Sequence, residues 1–167
     1  EFLLLVLDVC TGGEQPASHY QPDKLIEKFD ALKTYFTAGE FYEKMLYYRL
    51  LLDYYTIRRD IKDGQGNYSL ILKGPKDDSD KLKQYQSMLY VSTEAFYNWL
   101  KPYLRKLEQD ELHSCAEMLA FLKKGDNERH SILPARKDLS YKASGNIRYW
   151  FWRLDYYLWE QRSTFFN

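Results

Sequence analysis

"RYWFWRLDYYLWEQR", Arg148 to Arg162, carries seven aromatic rings in fifteen residues. Wound as a helix at about 100° per residue, it gathers Ile147, Trp150, Phe151, Leu154, Tyr157 and Leu158 on one side, the pattern of a core face. The opposite side carries Trp152 and Trp159 seven residues apart, beside Tyr149 and Tyr156 at the same spacing. Two narrow polar lines, Arg148–Asp155–Arg162 and Arg153–Glu160, divide the two sides. Such a helix needs partners on both, so Tyr149, Trp152, Tyr156 and Trp159 are candidate interface residues. Their cover is either a neighbouring domain or subunit, or the polar segment of this chain that precedes the helix.

The same two-sidedness recurs upstream. Residues 38–58 put Phe41, Met45, Tyr48, Leu51, Leu52 and Tyr55 on one face and Leu46, Leu50, Tyr54 and Ile57 on the other, with Arg49 and Asp53 spaced to pair between them. This predicts a helix in the middle of the fold. Shorter amphipathic helices are expected at the apolar opening "EFLLLVLDVC", from Asp23 through Leu32, from Asp80 to Val91, from Thr93 to Leu107, and from about Asp110 to Lys124. Pro102 is expected to bend or divide the fourth of these, and Gly125 to stop the last. The helical period breaks between residues 57 and 73, where Asp-Gly and Gly-Asn steps beside "YSLIL" predict a short strand or hairpin. Residues 125–145 read as a long polar loop, with Asn146 as the cap of the terminal helix. The predicted fold class is mostly α: an irregular bundle of six or seven helices with one short β segment.

At 167 residues the chain fits one helical domain. Its 24 basic and 24 acidic side chains cancel, so any nucleic-acid binding needs a local patch. Arg58, Arg59, Lys62 and Lys73 around the hairpin are the candidates, with Tyr55 and Tyr68 placed to stack nearby. Cys10 and Cys115 lack the number of a disulfide scaffold and the spacing of a zinc site, which suits free thiols in a reducing cytosol. No run approaches the roughly 20 apolar residues of a membrane span, so a cytoplasmic protein without a membrane partner is expected.

Catalytic signals are absent from the sequence. His19, His113 and His130 are scattered, and "HSILP" lacks the neighbouring ligands of a nuclease metal site. "KGPKDDSD" lacks the spacing of a phosphate-binding loop and reads as the polar start of a helix. "DGQGN", Asp63 to Asn67, reads as a tight turn. Neither a catalytic nor a metal-ligating residue, and no cofactor, is assigned to this segment.

Four stretches in order, "EFLLLVLDV", "YYRLLLDYYTIRR", "QSMLYVSTEAFYNWL" and "IRYWFWRLDYYLW", resemble successive landmarks in the helical region of GmrSD-type restriction proteins. Members of that family join a ParB-like nucleotide-hydrolysing domain to an HNH-type nuclease domain. The resemblance implies that this chain is a fragment of a larger multidomain protein, a helical module between the two. Nucleotide, divalent metal and DNA would then be handled by the parent protein, and the partners of this segment would be the adjoining domains or a second subunit. Neither family active site carries over: "DGQG" lacks the second Gln and the Arg of the Asp-Gly-Gln-Gln-Arg motif, and "RHSILP" lacks the Glu and spacing of the Glu-His-x-x-Pro motif.

Overall fold

A computed structural model of the chain describes residues 2–11, 21–92, 96–132 and 147–162. They form seven α-helices, one 3₁₀ turn and one two-stranded antiparallel sheet, the mostly α architecture with a short hairpin that the periodicity predicts. By its contacts the chain divides into two compact units, Glu1–Asp53 and Tyr54–Asn167.

In the first unit, α1 (Phe2–Thr11) is apolar nearly throughout and buries Leu4, Leu5, Val6 and Leu7. It packs on α2 (Leu25–Leu32), which the 3₁₀ turn Pro22–Lys24 introduces. Helix α3 (Ala38–Tyr55) starts at a reciprocal cap: the Thr37 hydroxyl accepts from the Glu40 amide at 3.2 Å, and the Glu40 carboxylate accepts from the Thr37 amide at 2.7 Å. The Thr37 amide and hydroxyl, both donating to this carboxylate, hold the Glu40 carboxyl below its usual range. Phe29, Phe36 and Phe41 form a ring cluster with centroids 5.5–5.8 Å apart. Of the two predicted α3 faces, Phe41, Tyr48 and Leu51 are buried, whereas Leu46, Leu50 and Tyr54 are exposed. Arg49 and Asp53 pair as expected, at 2.9 and 3.0 Å.

The second unit centres on α4 (Ser79–Val91), which packs against α5 (Phe96–Glu108), α6 (Cys115–Arg129) and α7 (Ile147–Glu160). Its Leu82, Tyr85, Met88 and Leu89 are buried, as the spacing predicts. Strands β1 (Arg58–Ile61) and β2 (Tyr68–Ile71) pair with Arg59 opposite Leu70. The turn between them is closed by Asp63, whose carboxylate accepts from the amides of Gln65 and Asn67 and from the Asn67 side chain. The buried Gln86 of α4 ties the hairpin's start to the bundle: its Oε1 accepts from the Ile57 amide at 2.9 Å, and its Nε2 donates to the Tyr55 carbonyl at 3.0 Å. Gly74 lies directly on the Tyr54 ring, where a Cβ would collide.

Three boundaries differ from the expected ones. Pro102 stands inside a continuous α5; Thr93, the expected cap, lies outside the described residues. Helix α6 begins five residues late and runs through Gly125 to Arg129, because Ser114 and Glu117 form a capping box that fixes its start. The interior Gly125 loses about 1 kcal/mol of helix propensity against Ala, and the turn beyond it carries the buried Asp126. Ser114→Ala is expected to lower stability by about 1 kcal/mol, seen as a reduced denaturation midpoint. Asn146 and most of the predicted polar loop lie outside the described residues.

Candidate functional site

Helix α7 turns a different side inward from the expected one, although Ile147, Trp150 and Tyr157 remain half-buried. Tyr149 is fully buried and Tyr156 only 4% exposed, while Phe151, Leu154 and Leu158 of the expected core face are about half exposed. Tyr149 and Tyr156 therefore belong to this chain's own core, which corrects their reading as a docking face.

What holds the inner side is a carboxylate. Asp126 of α6 is completely buried and accepts from two phenols, Tyr85 of α4 and Tyr149 of α7, each at 2.7 Å. A buried carboxylate is tolerated only when its lone pairs are met and its charge is opposed. Here Arg153 Nε lies 3.7 Å from Oδ2, and His130 Nδ1 lies 3.3 Å from Oδ1. Arg153 also donates to the Tyr149 hydroxyl at 2.9 Å and to Asn127 Oδ1. Burial opposes the Arg153 charge, yet Tyr149 and Asp126 hold its pKa above the ordinary value. Burial first, and the adjacent carboxylate second, push the Tyr85 and Tyr149 hydroxyls far up, so both stay protonated as donors. The His130 ring stacks on Tyr149 with centroids 4.0 Å apart.

About two turns beyond Arg153 on α7, Glu160 receives Lys123 at 2.7 Å and the Tyr156 hydroxyl at 3.0 Å. Burial would raise the Glu160 carboxyl, but these donors hold it below its usual range. Lys123 Nζ also sits 5.2 Å from the centre of the Tyr156 ring. The inner face of α7 is thus a clamp of tyrosines and charges joining α4, α6 and α7. Asp126 is fully buried within this clamp, with Tyr85, Tyr149 and Arg153 as its partners.

The outer side of α7 is a different surface. Phe151, Leu154 and Leu158 are 49%, 53% and 50% exposed and lie opposite the buried tyrosines. Along its flank, Trp152 is 43% exposed and Trp159 half-buried, and both line an open groove of about 500 Å³ with Leu70, Lys83, Met88 and Val91. Of the four aromatic candidates, Trp152 alone is exposed.

At the hairpin, Arg58, Arg59, Lys62 and Lys73 are all exposed. Arg59 lies over the ring of Tyr68, one of the two tyrosines expected near these cations, at 4.6 Å, and within 5.6 Å of Tyr90 on α4, which sequence reasoning missed. Lys62 is paired with Asp60 at 3.2 Å. Tyr55 instead packs its ring on Tyr54 at 4.8 Å. Among the described residues no group of His, Cys, Asp or Glu is placed to hold a metal ion, and no helix is long and apolar enough to cross a membrane. Compared with known proteins, the chain matches no family model, no curated protein and no solved structure.

Proposed function

We propose that this chain is a non-catalytic docking module of a cytoplasmic bacterial restriction or phage-defence protein of the GmrSD type, seated between a nucleotide-hydrolysing and a DNA-cleaving domain. The observation that carries the docking role is the outer side of α7. Phe151, Leu154 and Leu158 are aligned, apolar and about half exposed, on a helix whose opposite side is pinned by Asp126 and Glu160. A pinned helix presents its outer residues in a fixed pattern, which lowers the ordering cost of association. Contiguous apolar surface of this kind marks an interaction site. The restriction setting is supported by the order of the four hydrophobic landmarks alone.

The two parts of the proposal have separate tests. Changing Phe151, Leu154 and Leu158 together to Gln is expected to leave denaturation nearly unaltered, within about 0.5 kcal/mol per site, while association with the adjoining domain or subunit weakens by at least tenfold in a titration. A large stability loss with unchanged association would end the docking role. The setting is tested by the full reading frame: an Asp-Gly-Gln-Gln-Arg segment upstream or a Glu-His-x-x-Pro segment downstream is expected, and a complete frame with neither removes the restriction reading. In that case the same exposed side favours a free-standing helical interaction domain.

A further inference from the structure

The hairpin and the tryptophan groove form one continuous strip. Arg59 and Leu70 are opposite each other in the β ladder and share a face, and Tyr68, two residues from Leu70, shares it too. Leu70 then forms a wall of the groove with Val91, the neighbour of Tyr90, and the groove continues to Trp152 and Trp159. Tyr68, Tyr90 and Trp152 are 48%, 44% and 43% exposed, large rings held in place with nearly half their surface open to solvent.

Charge along the strip favours an anion. Residues 54–167 carry 19 Lys and Arg against 15 Asp and Glu. Arg58, Arg59 and Lys83 enter no ion pair with the described residues. Nearby acids are largely occupied: Asp60 is paired with Lys62, and Asp63 is tied up in the turn by Asn67. Asp155 is the carboxylate in the groove itself.

We infer that this strip binds single-stranded nucleic acid, with bases against Tyr68, Tyr90 and Trp152 and phosphates against Arg59 and Lys83. Rings spaced along a cationic groove are how proteins hold unpaired bases without reading their sequence, since every base offers a flat face. Arg59, held against two rings, presents an oriented guanidinium to a phosphate or a base. A duplex keeps its bases stacked on each other and gains nothing from the exposed rings. The inference does not use the outer side of α7, so it stands or falls independently of the docking proposal.

The test is fluorescence anisotropy of a labelled oligothymidylate of about fifteen nucleotides with the whole chain, over a series of salt concentrations. Binding is expected at low salt and should weaken as salt rises. Arg59→Ala should reduce affinity at least about fivefold and flatten the log–log salt dependence by about 0.7. Trp152→Ala and Tyr68→Ala should each weaken binding about fivefold or more with the salt slope unchanged. Asp155→Asn should strengthen binding. Circular dichroism shows whether each variant is folded, and the hairpin variant Tyr68→Ala decides the matter if Trp152→Ala is not. Absence of binding at low salt, a duplex bound as tightly as the single strand, or folded ring variants with full affinity would each overturn the inference; absence of binding would leave the groove to a protein partner.

Discussion

Asp126→Ala is expected to lower the stability of the second unit by about 3–5 kcal/mol, the range for removing one partner of a buried charge network. Two phenol donors at 2.7 Å, Tyr85 and Tyr149, would lose their acceptor together, and Arg153 would lose its buried counter-charge. Asp126→Asn keeps the shape and one acceptor, so a smaller loss of about 1–3 kcal/mol is expected. Urea denaturation followed by tryptophan fluorescence and circular dichroism measures both. The sharper check is the compensated variant, Asp126→Leu with Tyr85→Phe and Tyr149→Phe. Because the cost lies in orphaned polar groups, replacing the whole set by apolar ones should recover much of the loss. If Asp126→Ala costs under 1 kcal/mol, the clamp does not hold α7 and the fixed orientation of its outer face loses its basis.

The roll of α7 shows what hydrophobic spacing can reveal and what it hides. Spacing identified the helix and showed that both sides were apolar, but it ranked Phe151, Leu154 and Leu158 as the core by side-chain type alone. A tyrosine counts for little on that scale, yet next to a buried acceptor it fills as much space as a Phe and satisfies its own hydroxyl. The acceptor was legible in principle. Met118, Leu122 and Asp126 stand four residues apart on α6, so a helix continued through Gly125 would have shown a carboxylate at a core position. Ending the helix at Gly125 placed Asp126 and His130 in a loop and concealed both. The hairpin was readable because turn chemistry is local: Asp63, Gly64 and Asn67 specify it whatever lies around them. Tyr90 over Arg59 and Gln86 under the Tyr55–Ile57 backbone were not readable, since each depends on α4 returning to a segment some thirty residues earlier in the chain.

A steep alkaline loss of stability follows from the same tyrosines. Burial first pushes the hydroxyls of Tyr85, Tyr103, Tyr149 and Tyr156 well above their ordinary range, and the neighbouring carboxylates Asp126 and Glu160 add to it for three of them. The folded chain therefore keeps four protons that the unfolded chain releases near pH 10. Below that pH the tyrosines contribute their full stability, because both states hold the protons. Above it, each tyrosine removes about 1.4 kcal/mol per pH unit, and four together remove about 5.5 kcal/mol per unit. Burial also pushes the Cys115 thiol up to about 11, with Asp77 adding to the rise, so its contribution declines in an overlapping window. Against a typical total of about 5–15 kcal/mol, unfolding is expected within about one to three units above pH 10. Glu160 acts with the opposite sign: its lowered carboxyl contributes at neutral pH, and that contribution is lost as acid protonates it below its unfolded value. Urea midpoints collected from pH 8 upward, with tyrosinate absorbance read in parallel, should show a cooperative step in which ionisation and loss of helicity coincide. Tyr103→Phe should reduce the alkaline slope by about a quarter, since it removes one of the four retained protons. An absorbance rise that accounts for all sixteen tyrosines while helicity stays intact would mean that water reaches the four buried hydroxyls in the folded protein, and the tyrosine clamp would have to be abandoned.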